Sequence, residues 1–481
     1  MSANGRARSG PAAIGRGSAG LVRALLPDVA PARTAAGRRR QLVDGIPRPT
    51  DQQAWLILAV LGRRLPDSAE VESGRRLARH HGTSALLARI AAARRRPAAW
   101  LRPAVTILDA PVLLDVHESA TTNLSTGVQR VAREVALEWI DRDRVQLVGW
   151  STFRTSLLRI DPDRFRSRSA RGLFRRGPVV PLGGSYLLAE SLNETARAER
   201  IQAMADYSGV HSAMIGNDAI PLTTAETTGP GMPGAFAKYL AAASRMDVVA
   251  TISEAASLEY RGWKAMLASA GLTGPEIVTV PLAATSPRID PALEAIARER
   301  FRVDADPLVL CVGSHEPRKN HLGVLFAAER LWADGVKFRL VFVGGNAWNS
   351  DEFRATIDAM SAAGRPVHSM SGLPDSLLWW GYRLARLTVF PSLNEGYGLP
   401  VAESLYAGTP VVTSDFGSLA EIAEGGGCVL VDPREDAAIA AGIRAVLEDD
   451  ELHSRLSAEA SALRPRTWPE YAADVWRRVV N

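Results

Sequence analysis

Cysteine is almost absent: Cys311 and Cys428 are the only two among 481 residues. Neither their number nor their spacing makes a disulfide framework or a zinc site, and a reducing compartment suits such a chain. No apolar run approaches the ~20 residues of a membrane span. The longest candidate, Ala54 to Leu61, fits a single buried helix. The basic N-terminus lacks the uninterrupted apolar core of a secretory signal, because Arg23 breaks its only apolar patch. Lysine is missing from the first 104 residues. No Asp-x-Asp follows a strand in a context that holds a divalent ion, since Asp161-Pro-Asp163 lies in an Arg-rich stretch. The expectation is a cytoplasmic protein without a bound metal, in peripheral contact with the inner face of the plasma membrane.

What is present looks ordinary in bulk. Hydrophobic residues make up 46% and charged residues 23%, which excludes a disordered chain or a fibre. The net charge of +5 is unevenly placed. Residues 1–104 hold 19 Arg and 6 acids, a net of +13; the remainder holds 38 basic and 46 acidic residues, a net of −8. The split reads as an appended basic segment on a mildly acidic body. Residues 1–48, rich in Gly, Ala, Pro and Arg without periodicity, read as a flexible arm. Residues 49–104 read as a small helical module that ends in Arg94-Arg95-Arg96.

From residue 105 strands and helices alternate, which indicates parallel α/β sheets. Strands fit at 112–116, 145–150, 213–216, 247–252 and 276–280. An Arg-rich insertion, 154–176, interrupts this half with eight Arg against two Asp. The second half carries near-continuous apolar strands at 308–312, 339–343, 388–390, 410–413 and 429–431, the pattern of strands buried on both faces. Two doubly wound domains, 105–300 and 301–465, would face each other across a cleft at their strand ends.

Two strand–loop–helix segments carry chemistry. In Phe390-Pro-Ser-Leu-Asn-Glu-Gly-Tyr-Gly-Leu-Pro-Val-Ala-Glu403, Gly396 and Gly398 let the backbone approach a ligand closely. A helix starts near Leu399 with Pro400 in its first turn. Its free N–H groups suit a pyrophosphate. Glu395 is placed for sugar hydroxyls and Glu403, about one turn into the helix, for a ribose diol. In Cys311-Val-Gly-Ser-His-Glu-Pro-Arg-Lys-Asn320, Arg318 and Lys319 sit in a turn where paired cations suit a diphosphate. Asn320 is expected to cap the next helix. His315 reads as structural, Ser253 as a helix cap, and Trp379 and Trp380 as packing.

At these residues the chain resembles a GT-B glycosyltransferase of the large retaining family 4, glycosyltransferase group 1. Glu395-x7-Glu403 within EGYGLPVAES matches that family's signature, and PRKN matches its phosphate-binding turn. Thr126-Gly-Val-Gln-Arg130 resembles the glycine loop of the acceptor domain. Gly216-Asn-Asp-Ala-Ile-Pro-Leu222 resembles the His-Asp-x-Ile-Pro stretch, with Asn217 in place of the His. Thr251-Ile-Ser253 and Val280-Pro-Leu282 match the end of that domain. Trp468 onward, residues 466–481, resembles the last helix, which returns to the first domain. The stretch LGRRLPDSAEVESGRRLARHHG is similar to a short helical unit fused to bacterial cell-surface proteins and glycosyltransferases.

The resemblance implies an N-terminal acceptor domain and a C-terminal nucleotide-sugar domain, with Glu395, Arg318, Lys319 and Asp218 at the reacting centre. It implies donor contacts from Gly313, Ser314, Gly396, Tyr397, Gly398, Leu399, Glu403 and Gly127, and acceptor-side roles for His117 and Asn217. A nucleotide-diphospho-sugar is the co-substrate and no cofactor is expected. The TGVQR, EPRKN and EGYGLP combination most resembles bacterial polysaccharide mannosyltransferases, so GDP-mannose is the first expectation and UDP- or dTDP-sugars the alternatives. The acceptor would be a glycan or lipid-linked saccharide. Competing readings are a sugar phosphorylase or synthase on the same fold, and a non-catalytic scaffold. Nucleic acid is not an expected partner. The Arg-rich surfaces suit an anionic membrane.

Overall fold

Short aliphatic runs with alternating facing set the architecture, which we describe from a computed structural model for residues 11–93, 103–122, 126–192, 194–284, 290–303 and 306–480. The Arg94-Arg95-Arg96 triplet lies outside these residues. The first domain is built on a ten-stranded sheet: β1 (Ala13–Arg16), β2 (Thr106–Asp109), β3 (Val112–Asp115), β4 (Val145–Trp150), β5 (Leu157–Ile160), β6 (Phe174–Leu182), β7 (Ser185–Leu188), β8 (His211–Gly216), β9 (Val248–Thr251) and β10 (Glu276–Thr279). Their spatial order is β1-β2-β6-β5-β4-β3-β7-β8-β9-β10. Only β1 and β5 run against the others. The second domain has six parallel strands: β11 (Leu308–Val312), β12 (Arg339–Val343), β13 (Val367–Met370), β14 (Leu387–Phe390), β15 (Val411–Ser414) and β16 (Cys428–Val431). Their order is β13-β12-β11-β14-β15-β16. This is the GT-B arrangement of two Rossmann-like domains.

Alternate residues of each strand feed separate cores on the two sheet faces. In the first domain Leu113, Val148, Tyr186, Met214 and Val249 enter one core. Leu114, Leu147, Leu187, Ile215 and Ala250 enter the other. The second core is covered by the helices Gly127–Trp139 and Trp468–Val479. Trp139 Nε1 donates to Ala472 O at 2.9 Å. Helix Trp468–Val479 is the terminal helix the resemblance implied.

The first core corrects the reading of the N-terminus. Residues 13–93 are neither a free arm nor a separate module. They form the outer strand β1 and the helices Gly17–Leu25, Ala35–Gly45, Asp51–Gly62 and Ser68–Ala93. Leu21, Val22, Trp55, Leu56, Ile57, Val60, Val71 and Leu86 lie in the same core as the sheet residues. The Gly-rich composition has a steric cause. A Cβ on Gly20 would lie 2.5 Å from the Gly15 carbonyl carbon, so strand and helix fold back on each other only without side chains there. The Arg-rich insertion is likewise part of the sheet, contributing β5 and the start of β6, with Asp161 capping the short helix Pro162–Arg166 between them.

The second domain begins before residue 301. Helix Glu294–Arg300 places Ala297, with the following Phe301, in a core shared with Trp379, Trp380 and Tyr382. Trp379 and Trp380 are packing residues, as read from the sequence. Among the described residues no helix is long and apolar enough to cross a membrane.

Candidate functional site

Because β11 and β14 are neighbours in a parallel sheet, the loops leaving their C-terminal ends run side by side. Leu393 N–H donates to Arg318 O at 2.8 Å, which locks the two loops together. This brings Arg318 and Lys319, on the single turn Pro317–Lys319, against Glu395. Lys319 Nζ lies 2.5 Å from Glu395 Oε1 and Arg318 Nη1 2.7 Å from Glu395 Oε2. Arg318 Nη2 reaches Glu316 Oε1 at 2.6 Å, and Ser314 Oγ donates to the same oxygen at 3.2 Å. Helix Leu399–Tyr406 begins at Gly398 with no side-chain cap.

These charges are buried. Burial alone would raise the Glu395 carboxyl, yet Arg318 and Lys319 hold it down at about 2. Burial and the neighbouring Arg318 lower the Lys319 ammonium, against the pull of Glu395. Asp218 goes the other way: burial raises its carboxyl to about 6 despite Arg318. The site therefore holds an ionised carboxylate in the second domain opposite a carboxyl in the first that titrates near neutrality.

The two domains meet at these residues. A Cβ on Gly396 would sit 2.5 Å from Asn217 O and 3.1 Å from Asp218 Oδ2. Ser253 Oγ donates to Gly396 O at 2.6 Å while accepting from Ala256 N–H at 3.0 Å, so it caps its helix and spans the cleft together. Tyr397 and Leu399 pack on the second core of the first domain. A side chain at position 396 would collide with the backbone of the first domain, which is what glycine avoids here. Gly398, at φ 111°, needs its left-handed conformation to start the helix, and a Cβ there would strike Leu419 Cδ2 at 2.5 Å.

Glu403 is buried and its two oxygens are engaged. Arg130 of helix Gly127–Trp139 hydrogen-bonds Oε1, and Tyr382 OH donates to Oε2 at 3.0 Å. Arg130 and Tyr382 were not singled out from sequence. The signal for Arg130 was its place one turn after Gly127 on the helix facing the cleft.

Two expected residues, His117 and Asn320, are placed differently. His117 starts the short helix His117–Thr121 and is buried. Its Nδ1 accepts Trp150 N–H at 3.0 Å, so the ring fastens β4 instead of opening on the cleft. Burial, aided by Arg197 and Arg154, lowers it to about 4. Asn320 makes no side-chain cap. It adopts φ 57° and donates Nδ2 to Pro433 O at 2.6 Å. Gly127 stands 3.7 Å (as a built Cβ) from Leu399 Cδ1, at the mouth between the domains. Gly313 takes φ 152° just before Ser314. Asn217 is buried and its Nδ2 has no hydrogen-bond partner. His315 is structural, bonded to Asn346 Oδ1 through Nδ1 at 2.9 Å. Among the described residues no group of three His, Cys, Asp or Glu side chains is arranged to hold a metal ion.

Comparison with known proteins places this geometry. Residues 294–462 match the family Glycosyl transferases group 1. The chain is 24% identical over 336 residues to a serotype-specific mannosyltransferase of Escherichia coli, covering 65% of this chain and 40% of that protein. It is 33% identical over 177 residues to O-antigen chain mannosyltransferase B of Escherichia coli, covering 36% of this chain and 46% of that protein. The chain thus spans less than half the length of these curated relatives. Among solved structures, WaaG, a glycosyltransferase involved in lipopolysaccharide biosynthesis, superposes with a TM-score of 0.51 at 17% identity, over 76% of this chain and 99% of that one.

Proposed function

We propose, from a second domain of the glycosyltransferase group 1 type within a GT-B fold, that this protein transfers a sugar from a nucleotide-diphospho-sugar to a glycan acceptor in surface polysaccharide synthesis. The carrying observation is the buried Arg318–Lys319–Glu395 cluster at the ends of β11 and β14, facing Asn217 and Asp218 across the cleft. In this reading the donor diphosphate lies on Arg318, Lys319 and the uncapped helix at Leu399. These groups stabilise the charge that grows on the leaving pyrophosphate. Glu395 orients the donor sugar. Glu403 exchanges Arg130 for the ribose diol, with Gly313, Ser314, Gly396, Tyr397, Gly398 and Gly127 shaping the pocket.

The acceptor hydroxyl enters from the first domain past Asn217, whose free Nδ2 is available to it, and Asp218. The attack is front-face and retaining: the acceptor oxygen bonds the anomeric carbon as the bond to the diphosphate oxygen breaks, and the leaving nucleoside diphosphate accepts the proton. No metal takes part, because two cations already meet the diphosphate. Mannose from GDP-mannose is the donor we favour, since both E. coli relatives are named as mannosyltransferases. The exposed Arg164, Arg168 and Arg171 suit an anionic membrane surface carrying a lipid-linked acceptor.

A thermal-shift screen of GDP-, UDP- and dTDP-sugars tests the reading, because a ligand that binds only the folded state raises its melting point. GDP-mannose is expected to give the largest rise. If none of the nucleotide sugars shifts the protein, the transferase reading is refuted. Phosphate-dependent release of a sugar 1-phosphate would point to the phosphorylase alternative.

A further inference from the structure

The first domain carries a second polar cluster that the donor chemistry does not use. β4, β3, β7 and β8 are consecutive parallel strands, so their C-terminal ends form one rim of the cleft. Asn217 and Asp218 follow β8. At the far end of the rim, the turn after β4 presents Phe153 with 82% of its surface exposed. The turn is held by Arg154 N–H to Ser151 O at 2.8 Å and by Leu65 N–H of the N-terminal segment to Thr155 O at 2.8 Å. The ring is therefore displayed on a fixed support.

The next residue of that turn, Arg154, pairs through Nε with Glu194 Oε1 at 2.6 Å, and Glu194 and Glu118 are partly open to solvent. Arg197 lies beneath them, with no exposed side-chain surface. Its Nη2 bonds Asp115 Oδ1 at 3.0 Å. Its Nε and Nη1 make no hydrogen bond, although Nη1 points between Glu118 Oε1, at 3.8 Å, and Glu194 Oε2, at 3.7 Å. A buried guanidinium with two unused donors is costly unless a further polar group completes it. A hydroxyl that donates to one of the two carboxylates and accepts from Nη1 would complete this set.

We propose that Phe153, Glu118, Glu194 and Arg197 form a binding subsite for an uncharged sugar unit of the acceptor. Phe153 is the platform for the apolar face of the ring. The carboxylates and Arg197 take its hydroxyls. Charge decides the class. Among the described residues, Asp115, Glu118, Glu190 and Glu194 outnumber Arg154 and Arg197, and His117, lowered to about 4, adds no positive charge near neutral pH, so a phosphorylated sugar would enter a field of net negative sign. Three strand spacings of about 4.8 Å separate the ends of β4 and β8, a total of about 14 Å. That span suits an oligosaccharide whose end reacts at Asp218 while an inner unit rests on Phe153.

The subsite rests on the transferase reading, and the test separates the two. Full-length wild type, Phe153→Ala, Phe153→Tyr and Glu118→Gln would be compared by saturation-transfer NMR. The probes are neutral manno-, gluco- and galacto-trisaccharides, mannose 6-phosphate and glucose 6-phosphate. GDP-induced melting shifts would be recorded in parallel. We expect at least one neutral trisaccharide to bind wild type, with binding weakened on the order of tenfold in Phe153→Ala. Phe153→Tyr should restore it, the phosphorylated sugars should bind wild type more weakly than the neutral ones and lose less in Glu118→Gln, and the GDP shift should be the same in all four proteins. Binding of neutral sugars that is indifferent to Phe153, wild-type preference for the phosphorylated sugars, or no saccharide bound would overturn the subsite. Loss of the nucleotide shift in wild type would instead overturn the transferase reading.

Discussion

Replacing Glu395 with Gln removes one member of a buried charge cluster while keeping its shape. The substitution leaves Arg318 and Lys319 with Glu316 and, across the cleft, Asp218 as nearby carboxyl groups. Deleting one partner of a buried pair typically costs about 3–5 kcal/mol, because a charge is left uncompensated in a dry site. At about 2–4 °C per kcal/mol for domains of this size, the empty protein should melt roughly 6–20 °C lower. A nucleotide diphosphate would supply the missing negative charge. GDP at 100 times its Kd stabilises a protein by about 2.7 kcal/mol. The variant should bind GDP more tightly than wild type, and its melting point should rise by more at equal GDP.

Acid gives the same argument a second arm. Glu395 is held at about 2, below its ordinary 4.5, so its contribution is complete above about 4.5 and disappears as pH falls toward 2. Wild type should lose its advantage over the variant across that window. The assay is differential scanning calorimetry of both proteins, with and without GDP, from pH 2 to 8. A variant that melts with wild type, or that GDP protects less, would refute both the cost assigned to the cluster and the placing of the diphosphate on Arg318 and Lys319.

Two further outcomes follow from the first domain. Glu190 accepts N–H groups from Glu118 and Ser119, and burial raises its carboxyl to about 7 against the pull of Arg197. Its folded value lies above 4.5, so stability should fall as pH rises from about 4.5 to 7, by at most about 3 kcal/mol. Urea unfolding should show that decline in wild type and a flatter curve in Glu190→Gln; parallel curves would contradict it. Trp55→Ala should destabilise by about 3–5 kcal/mol, because Trp55 is buried in the core beneath the sheet. Denaturant midpoints measure it, and a change within about 0.5 kcal/mol would mean that the N-terminal segment is a loosely attached surface after all.

What could be read from sequence was what is local. The turn Pro317–Lys319 and the segment from Glu395 to Glu403 each carry their geometry within a few residues: a strand end, glycines, then a helix start. Their mutual contact was not read from sequence, because it needs the strand order that makes β11 and β14 neighbours. The N-terminus was misread because composition was taken for mobility. Gly15 and Gly20 are there to let a strand and helix touch, and their partners, β2 and the sheet core, lie about 90 residues away. The insertion at 154–176 hid two strands for a similar reason. β5 is only Leu157–Ile160, and β6 contains Pro178 and Pro181, residues that sequence rules assign to edges. His117 looked like a loop histidine because nothing nearby in sequence reveals the Trp150 N–H that holds it. Arg130 could not be matched to Glu403 without knowing how far the domains close.

Helix Trp468–Val479 has a consequence for how this chain is made. It supplies Trp468, Tyr471, Ala472, Val475 and Val479 to the core of the first domain. The second domain spans a continuous stretch of chain and has all its strands by residue 431. During synthesis, domains usually fold in the order they emerge. Here the first domain to appear is the last to be finished. The face of helix Gly127–Trp139 that meets the terminal helix, including Trp139, stays uncovered until that helix has left the ribosome. Translation pauses or premature release before that helix emerges would therefore damage the first domain first, while leaving a well-folded second domain behind.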